Sequence, residues 1–169
     1  EYCYLLAFLA GSDDAWLIKQ AAPMHDIGKV GIPDHILHKP GKLNDQEWTT
    51  MQTHSELGYK MLSVSHRPLL KTAATIAYEH HEKWDGSGYP RGLKGKEISF
   101  AGRVTAIADV FDALGHPRCY KKAWLLEDIL EFFKKQRGKH FDPELVDLML
   151  ATIDQFLTIS KKYQELQPS

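Results

Sequence analysis

Apolar residues in this chain recur every three or four positions, and the stripes they form run into histidines and aspartates. Such spacing makes helices with one inward face, and here that face must accept groups that are costly to bury. Leu70, Ala73, Ala74 and Ala77 lead onto His80 and His81. Met51, His54, Gly58 and Met61 share a face, with His54 in its middle. Leu17, Ala21 and Met24 lead to His25, with Asp26 beside it. Ala101, Thr105, Ala108 and Asp112 form a stripe with Asp109 at its shoulder. No segment alternates for long as a strand would, so the fold class is all-α. The periodicity predicts helices over 2–10, 14–27, 44–63, 67–82, 98–114, 124–136 and 143–163. Asn44 with Glu47 reads as a capping box, and Asp142 followed by Pro143 as an N-cap and first-turn pair.

Three stretches rich in Gly, Pro or Lys break the pattern, at 31–43, 85–98 and 115–124, and they read as loops within a single domain. The last residues, 160–169, read as a polar, fraying tail. At 169 residues and 43% hydrophobic content the chain can bury a core without metal or disulfide support. Cys3 and Cys119 form no CxxC pair and read as plain thiols. A formal net charge of -1 argues against a partner that is a DNA or RNA polymer held on a broad basic face. The longest apolar run, 2–10, is too short to span a bilayer, and no secretion signal is visible, which points to the cytoplasm. Because the chain starts inside a helical pattern without a cap, it reads as a piece of a longer protein.

One histidine on an apolar face needs only one hydrogen-bond partner. Four helices that each deliver histidine or aspartate inward create a different problem. His25, Asp26, His54, His80, His81 and Asp109 would leave aspartates without countercharge and imidazoles crowded together. A bound metal cluster removes that cost. Imidazole and carboxylate donors without thiolate suit iron, manganese, zinc or nickel, and the adjacent His25 and Asp26 suit a carboxylate shared by at least two ions. The Glu-x-x-His pairs of ferritin-like bundles are absent.

HDIGK at 25–29, HSELG at 54–58, HHEKWDGSGYP at 80–90 and ADVFDAL at 108–114 together resemble the HD-GYP family, a branch of the HD-domain metal-dependent phosphohydrolases. GIPDHIL, KPGKL and HFDPELV look like that family too, and the likeness covers nearly the whole chain. The resemblance implies an all-helical HD bundle that hydrolyses cyclic di-GMP to the linear dinucleotide pGpG or to GMP. Its metal positions fall on His25, Asp26, His54, His80, His81 and Asp109, holding two or three divalent ions, with iron or manganese ahead of zinc or nickel. Its substrate contacts fall on Lys29, on Gly86, Gly88, Tyr89 and Pro90, and on Arg118 and Lys121. Asp112 corresponds to a supporting residue behind the ligands. Asp26 and Lys29 carry the catalytic roles: the carboxylate holds the ions that activate a bridging hydroxide, and the ammonium sits beside the scissile phosphate.

The chain departs from the family twice. An upstream histidine, with a glutamate in some members, would precede Glu1, so the family's N-terminal ligand helix is expected to be missing from 1–169. Cys119 replaces a usual proline between Arg118 and Lys121, which loosens that backbone. Two other readings stay open: a preference for cyclic GMP-AMP, and a signalling module that binds a GGDEF-type partner with weak catalysis. A sensory domain is expected upstream. Arg91, Lys94 and Lys96 read as solvent-facing, His35, His38, His66 and His140 as solvated, His116 as neighbour to the substrate loop, and Trp84 as packed beneath the GYP turn.

Overall fold

The computed structural model describes residues 1–115 and 124–164, so Arg118, Cys119, Lys121 and His116 lie outside the described residues. The described part is helical throughout: α1 (Tyr2–Leu9), α2 (Ala15–Ala21), α3 (Asp34–Leu37), α4 (Asp45–Gln52), α5 (His54–Leu62), α6 (Pro68–Glu79), α7 (Phe100–Gly115), α8 (Leu126–Gln136), α9 (Pro143–Ala151) and α10 (Ile153–Gln164). Strand-like pairing among these residues is limited to two isolated bridges, Asp85 with Lys94 and Arg137 with Phe141. No described helix is long and apolar enough to cross a membrane.

Helix α6 organises the bundle. Its alanines let neighbouring backbones come close, and it packs against α5, α2 and α7. On the far side, α1 lies on α7, α9 and α10. The core between them holds Leu6, Ile18, Ile76, Val104, Ile107, Phe133, Phe141, Met149 and Phe156, all at most 2% exposed, and burial on that scale supplies the main drive to fold. Aromatic rings lock the layers: Tyr2 stacks on Phe156 at 5.5 Å and meets Phe111 edge-on at 5.1 Å.

Several predicted helices are shorter than the periodicity suggests, for identifiable reasons. The helix expected over 14–27 stops at Ala21, because Pro23 has no N–H to donate, and the chain continues as tight 3₁₀ turns over Ala22–Met24 and Ile27–Gly31. The helix expected over 44–63 breaks at Thr53, whose backbone and hydroxyl both donate to Thr50 O, at 3.1 and 2.7 Å. The helix expected over 143–163 breaks at Thr152, whose hydroxyl donates to Leu148 O at 2.7 Å. The helix expected over 67–82 ends at Glu79, so His80 and His81 follow its last turn. The stretch 31–43 is not all loop, since α3 interrupts it. The capping box is present, with Asn44 Oδ1 accepting from Glu47 N and Glu47 accepting from Asn44 N, both at 2.8 Å. Asp142 caps α9, accepting from Glu144 N at 2.9 Å while its other oxygen pairs with Arg103.

His140 departs from its expected solvation; His35, His38 and His66 are exposed. The His140 ring stacks on Phe141 at 4.1 Å, and its backbone carbonyl accepts from Trp84 N at 3.0 Å. Burial, helped by Lys83, pushes its imidazole down from 6.5 to about 4. At high pH neither the folded nor the unfolded chain protonates this ring. Below 6.5 the unfolded chain takes up a proton that the folded chain refuses until about 4, so stability falls across that window. Urea denaturation should show a loss from this group of at most about 3 kcal/mol between those limits. His140→Phe, which keeps the stack, should flatten the slope, and an unchanged slope would contradict this assignment.

Candidate metal centre

The ends and breaks of the helices deliver the six titratable groups. His25 and Asp26 sit between the two 3₁₀ turns after α2, His54 is the first residue of α5, His80 and His81 follow α6, and Asp109 lies within α7. A side chain at a helix end can hydrogen-bond to the carbonyls just behind it, and three imidazoles do so. Nδ1 of His25 meets Ala22 O at 2.9 Å, Nδ1 of His54 meets Met51 O at 2.8 Å, and Nδ1 of His80 meets Ile76 O and Ala77 O, each at 3.1 Å. A carbonyl only accepts, so Nδ1 carries the proton in all three, and Nε2 turns its lone pair inward.

Asp26 stands where these lone pairs converge. Its Oδ1 lies 3.4 Å from His54 Nε2 and 3.8 Å from His80 Nε2, and His54 and His80 place their Nε2 atoms 3.5 Å apart. Its Oδ2 lies 3.3 Å from His25 Nε2, which is 3.6 Å from Asp109 Oδ1. Donor atoms of Asp26, His54, His80 and His81 all fall within 4.8 Å of one another. Asp26 Oδ1 is buried and accepts no hydrogen bond. With the Nδ1 protons already committed, His54 and His80 offer it lone pairs rather than donors. A cation satisfies such a set, and the nitrogen and oxygen donors are those of a divalent metal site.

Electrostatics favour the ligand forms. Burial, together with the neighbouring His80 and His54, pushes His81 down to about 2, and burial also lowers His54. Both rings are therefore neutral at physiological pH. Burial alone would raise Asp26, but His25 and the Lys29 ammonium hold its carboxyl far below the usual range. His25 is raised: burial opposes its charge, but Asp26 and then Asp109 outweigh that. The Lys29 ammonium donates to Asp26 Oδ2 at 2.5 Å.

The expected substrate residues divide. Tyr89 lies face to face with His81, 4.8 Å away at 27°, while Gly86 takes a left-handed φ of 87° and Pro90 is exposed. Gly88 has a structural reason of its own, since a Cβ there would lie 2.3 Å from Lys83 N. Asp112 is exposed, although it lines one cleft with Thr105 and Ala108; burial first, and then the Asp112 charge, raise the Tyr2 phenol. Trp84 packs against Gly95 and under Arg103.

Two carboxylates escaped the sequence reading. Glu82, 1% exposed, accepts from Arg91 N at 2.7 Å and Leu93 N at 2.9 Å. Glu79, 6% exposed, accepts from Ser99 N at 2.7 Å and pairs with Arg91, whose guanidinium also stacks on Tyr78 at 4.5 Å. Arg91 is exposed, as Lys94 and Lys96 are, but its guanidinium is anchored by Glu79 and Tyr78. The visible signal was an acid directly after HH and before a glycine-rich turn, whose backbone N–H groups need acceptors.

Gly28 seats the first ligand turn. A Cβ on Gly28 would lie 1.9 Å from His54 O and 2.5 Å from Gly58 N, so only glycine lets the HDIGK turn press on α5. Gly28→Ala should cost about 3 kcal/mol or more in urea denaturation, because backbone rather than a side-chain tip must yield. It should also lower metal content by elemental analysis. A variant with wild-type stability and metal content would show that this contact does not set the site.

A family model described as HD domain matches residues 1–145. Among curated proteins the chain is 55% identical to the 3'3'-cGAMP-specific phosphodiesterase 2 of Vibrio cholerae, over 94% of this chain and 31% of that protein. It is 49% identical to a cyclic di-GMP phosphodiesterase of Thermotoga maritima, over 79% of this chain and 36% of that one. It is 47% identical to the cyclic di-GMP phosphodiesterase response regulator RpfG of Xanthomonas campestris pv. campestris, over 82% and 36%. The chain spans about a third of the length of these curated relatives. With its histidine and aspartate cluster built from the HDIGK, HSELG and HHEKWDGSGYP motifs, the chain belongs to the HD domain family, in its HD-GYP branch.

Proposed function

We propose that this chain is the catalytic unit of a metal-dependent phosphodiesterase that hydrolyses cyclic di-GMP to pGpG or GMP. The observation that carries this reading is the convergence of unprotonated Nε2 atoms on a buried carboxylate oxygen with no hydrogen-bond donor. Two divalent ions, iron or manganese ahead of zinc or nickel, match the two faces of Asp26. One face looks to His54, His80 and His81, the other to His25 and Asp109. When bound, such ions lower the pKa of water to about 7 and polarise phosphoryl oxygens.

The chain's own residues do the rest. Asp26 holds the two halves of the site in register, and the carbonyl-anchored imidazoles cannot rotate away. Lys29, held at the rim by Asp26, offers its ammonium to a phosphoryl oxygen as negative charge builds there. Burial, with the charges of Asp26 and Asp109, raises the Tyr89 hydroxyl above the ordinary phenol range, so it stays protonated and serves as a donor, not a base. Asp112 supports from outside the cluster, and Arg118 and Lys121 complete the phosphate contacts in this reading.

The 55% identity to a relative named for 3'3'-cGAMP favours a second reading, the same chemistry on cyclic GMP-AMP. The chain spans about a third of these longer relatives, and in this reading the whole protein adds an upstream sensory domain and ligand helix, acts in the cytoplasm and meets a GGDEF-type partner. Assays of the manganese- or iron-loaded protein on both dinucleotides, with chromatography of the products, test the activity. Chelation should abolish turnover and added metal restore it. His80→Ala and Asp109→Ala should each lower turnover by at least about 100-fold, the upper end of what even outer-shell changes cost. Unchanged turnover in both variants would end the proposal.

A further inference from the structure

Helix α4 is polar except for Trp48 and the half-buried Met51, and the Trp48 ring is placed in an unusual way. The residue is 49% exposed, yet its indole meets Tyr89 edge-on at 6.3 Å and 81°. Tyr89 in turn lies against His81 and 6.5 Å from His54. A run of rings therefore leads from the candidate metal ligands to the surface, through His81, Tyr89 and Trp48. Asp45, Gln46, Glu47 and Thr49 surround Trp48 in sequence with polar side chains. A lone exposed ring within a polar helix does not make the broad apolar patch that a protein partner needs, but it does offer a flat face to a planar ligand.

Its backbone is fixed in advance. The Asn44–Glu47 capping box pins the first turn of α4, and Lys39 donates to Glu47 at 2.6 and 2.8 Å. That pairing also neutralises the carboxylate next to Trp48 that would otherwise repel a phosphate-rich ligand. A platform rigid before binding loses little entropy when it is covered.

We propose that Trp48 is the stacking platform for a purine base of the cyclic dinucleotide, which it holds while the phosphodiester lies at the Asp26 cluster. The inference rests on the phosphodiesterase reading for its ligand class. Stacking is tolerant because every base has a π-face, so Trp48 serves guanine and adenine alike and contributes affinity without choosing between cyclic di-GMP and cyclic GMP-AMP.

The test measures binding of hydrolysis-resistant phosphorothioate analogues of both dinucleotides to the metal-loaded protein by calorimetry, alongside turnover of the natural compounds. Trp48→Ala should weaken binding of both analogues by about 5- to 150-fold, the loss of one stacked base, with metal content and Tm unchanged. Trp48→Phe should recover most of the affinity. Binding within twofold of wild type in Trp48→Ala, a loss for only one dinucleotide, no recovery in Trp48→Phe, or a wild type that binds neither analogue would each overturn the inference. A wild type that binds both without cleaving either, and loses both in Trp48→Ala, would support the platform while contradicting the phosphodiesterase reading.

Discussion

Hydrogen bonds from Nδ1 to backbone carbonyls do the decisive work in this molecule. At His25, His54 and His80 the proton is committed to Ala22, Met51, and Ile76 with Ala77, so each ring is oriented and its other nitrogen is left as a lone pair. Each histidine sits at an end or break of a helix or 3₁₀ turn, just past these carbonyls, and Ala22 O and Ile76 O take the ring N–H beside the backbone N–H of His25 and His80. The site is therefore a by-product of where helices stop. Asp26 then joins two half-sites that would otherwise be separate, one on α5 and the turn after α6, the other on the turn after α2 and on α7.

What holds these ends together is close backbone contact and buried charge rather than long apolar side chains. Gly28 and Gly58 let a 3₁₀ turn rest on α5, and α5 in turn lies on the alanines of α6. Glu79 and Glu82 bind the backbone of 91–99 and the Arg91 guanidinium, which ties the GYP segment to the strand of residues carrying His80 and His81. Leaving such backbone donors unpaired would cost about 1–3 kcal/mol each, so the acid after HH is a structural necessity as well as a neighbour of the ligands.

The sequence made the all-helical class legible because inward stripes at 3.6-residue spacing were clear on most segments. It made the six polar groups legible because they interrupted those stripes. The breaks at Pro23, Thr53 and Thr152 were less visible: a threonine side chain that caps a carbonyl within a helix leaves no mark on hydrophobic periodicity. Asp112 was misplaced for a different reason: it keeps the face of Thr105 and Ala108, but at its position that face opens to solvent. Glu79, Glu82 and Arg91 were missed because their partners are backbone N–H groups and one another, contacts that arise only when the loop folds back. His140 was read as a loop residue, and only the fold reveals Phe141 beneath it.

The central claim is that Asp26 lies between two cations held by the imidazoles and Asp109. Anomalous diffraction at the manganese or iron edge, from crystals of the protein prepared with that metal, tests it most directly. The account predicts two peaks flanking the Asp26 carboxylate, one beside His54, His80 and His81 and the other beside His25 and Asp109. Peaks elsewhere, or none within this cluster in a protein shown to be folded, would contradict it.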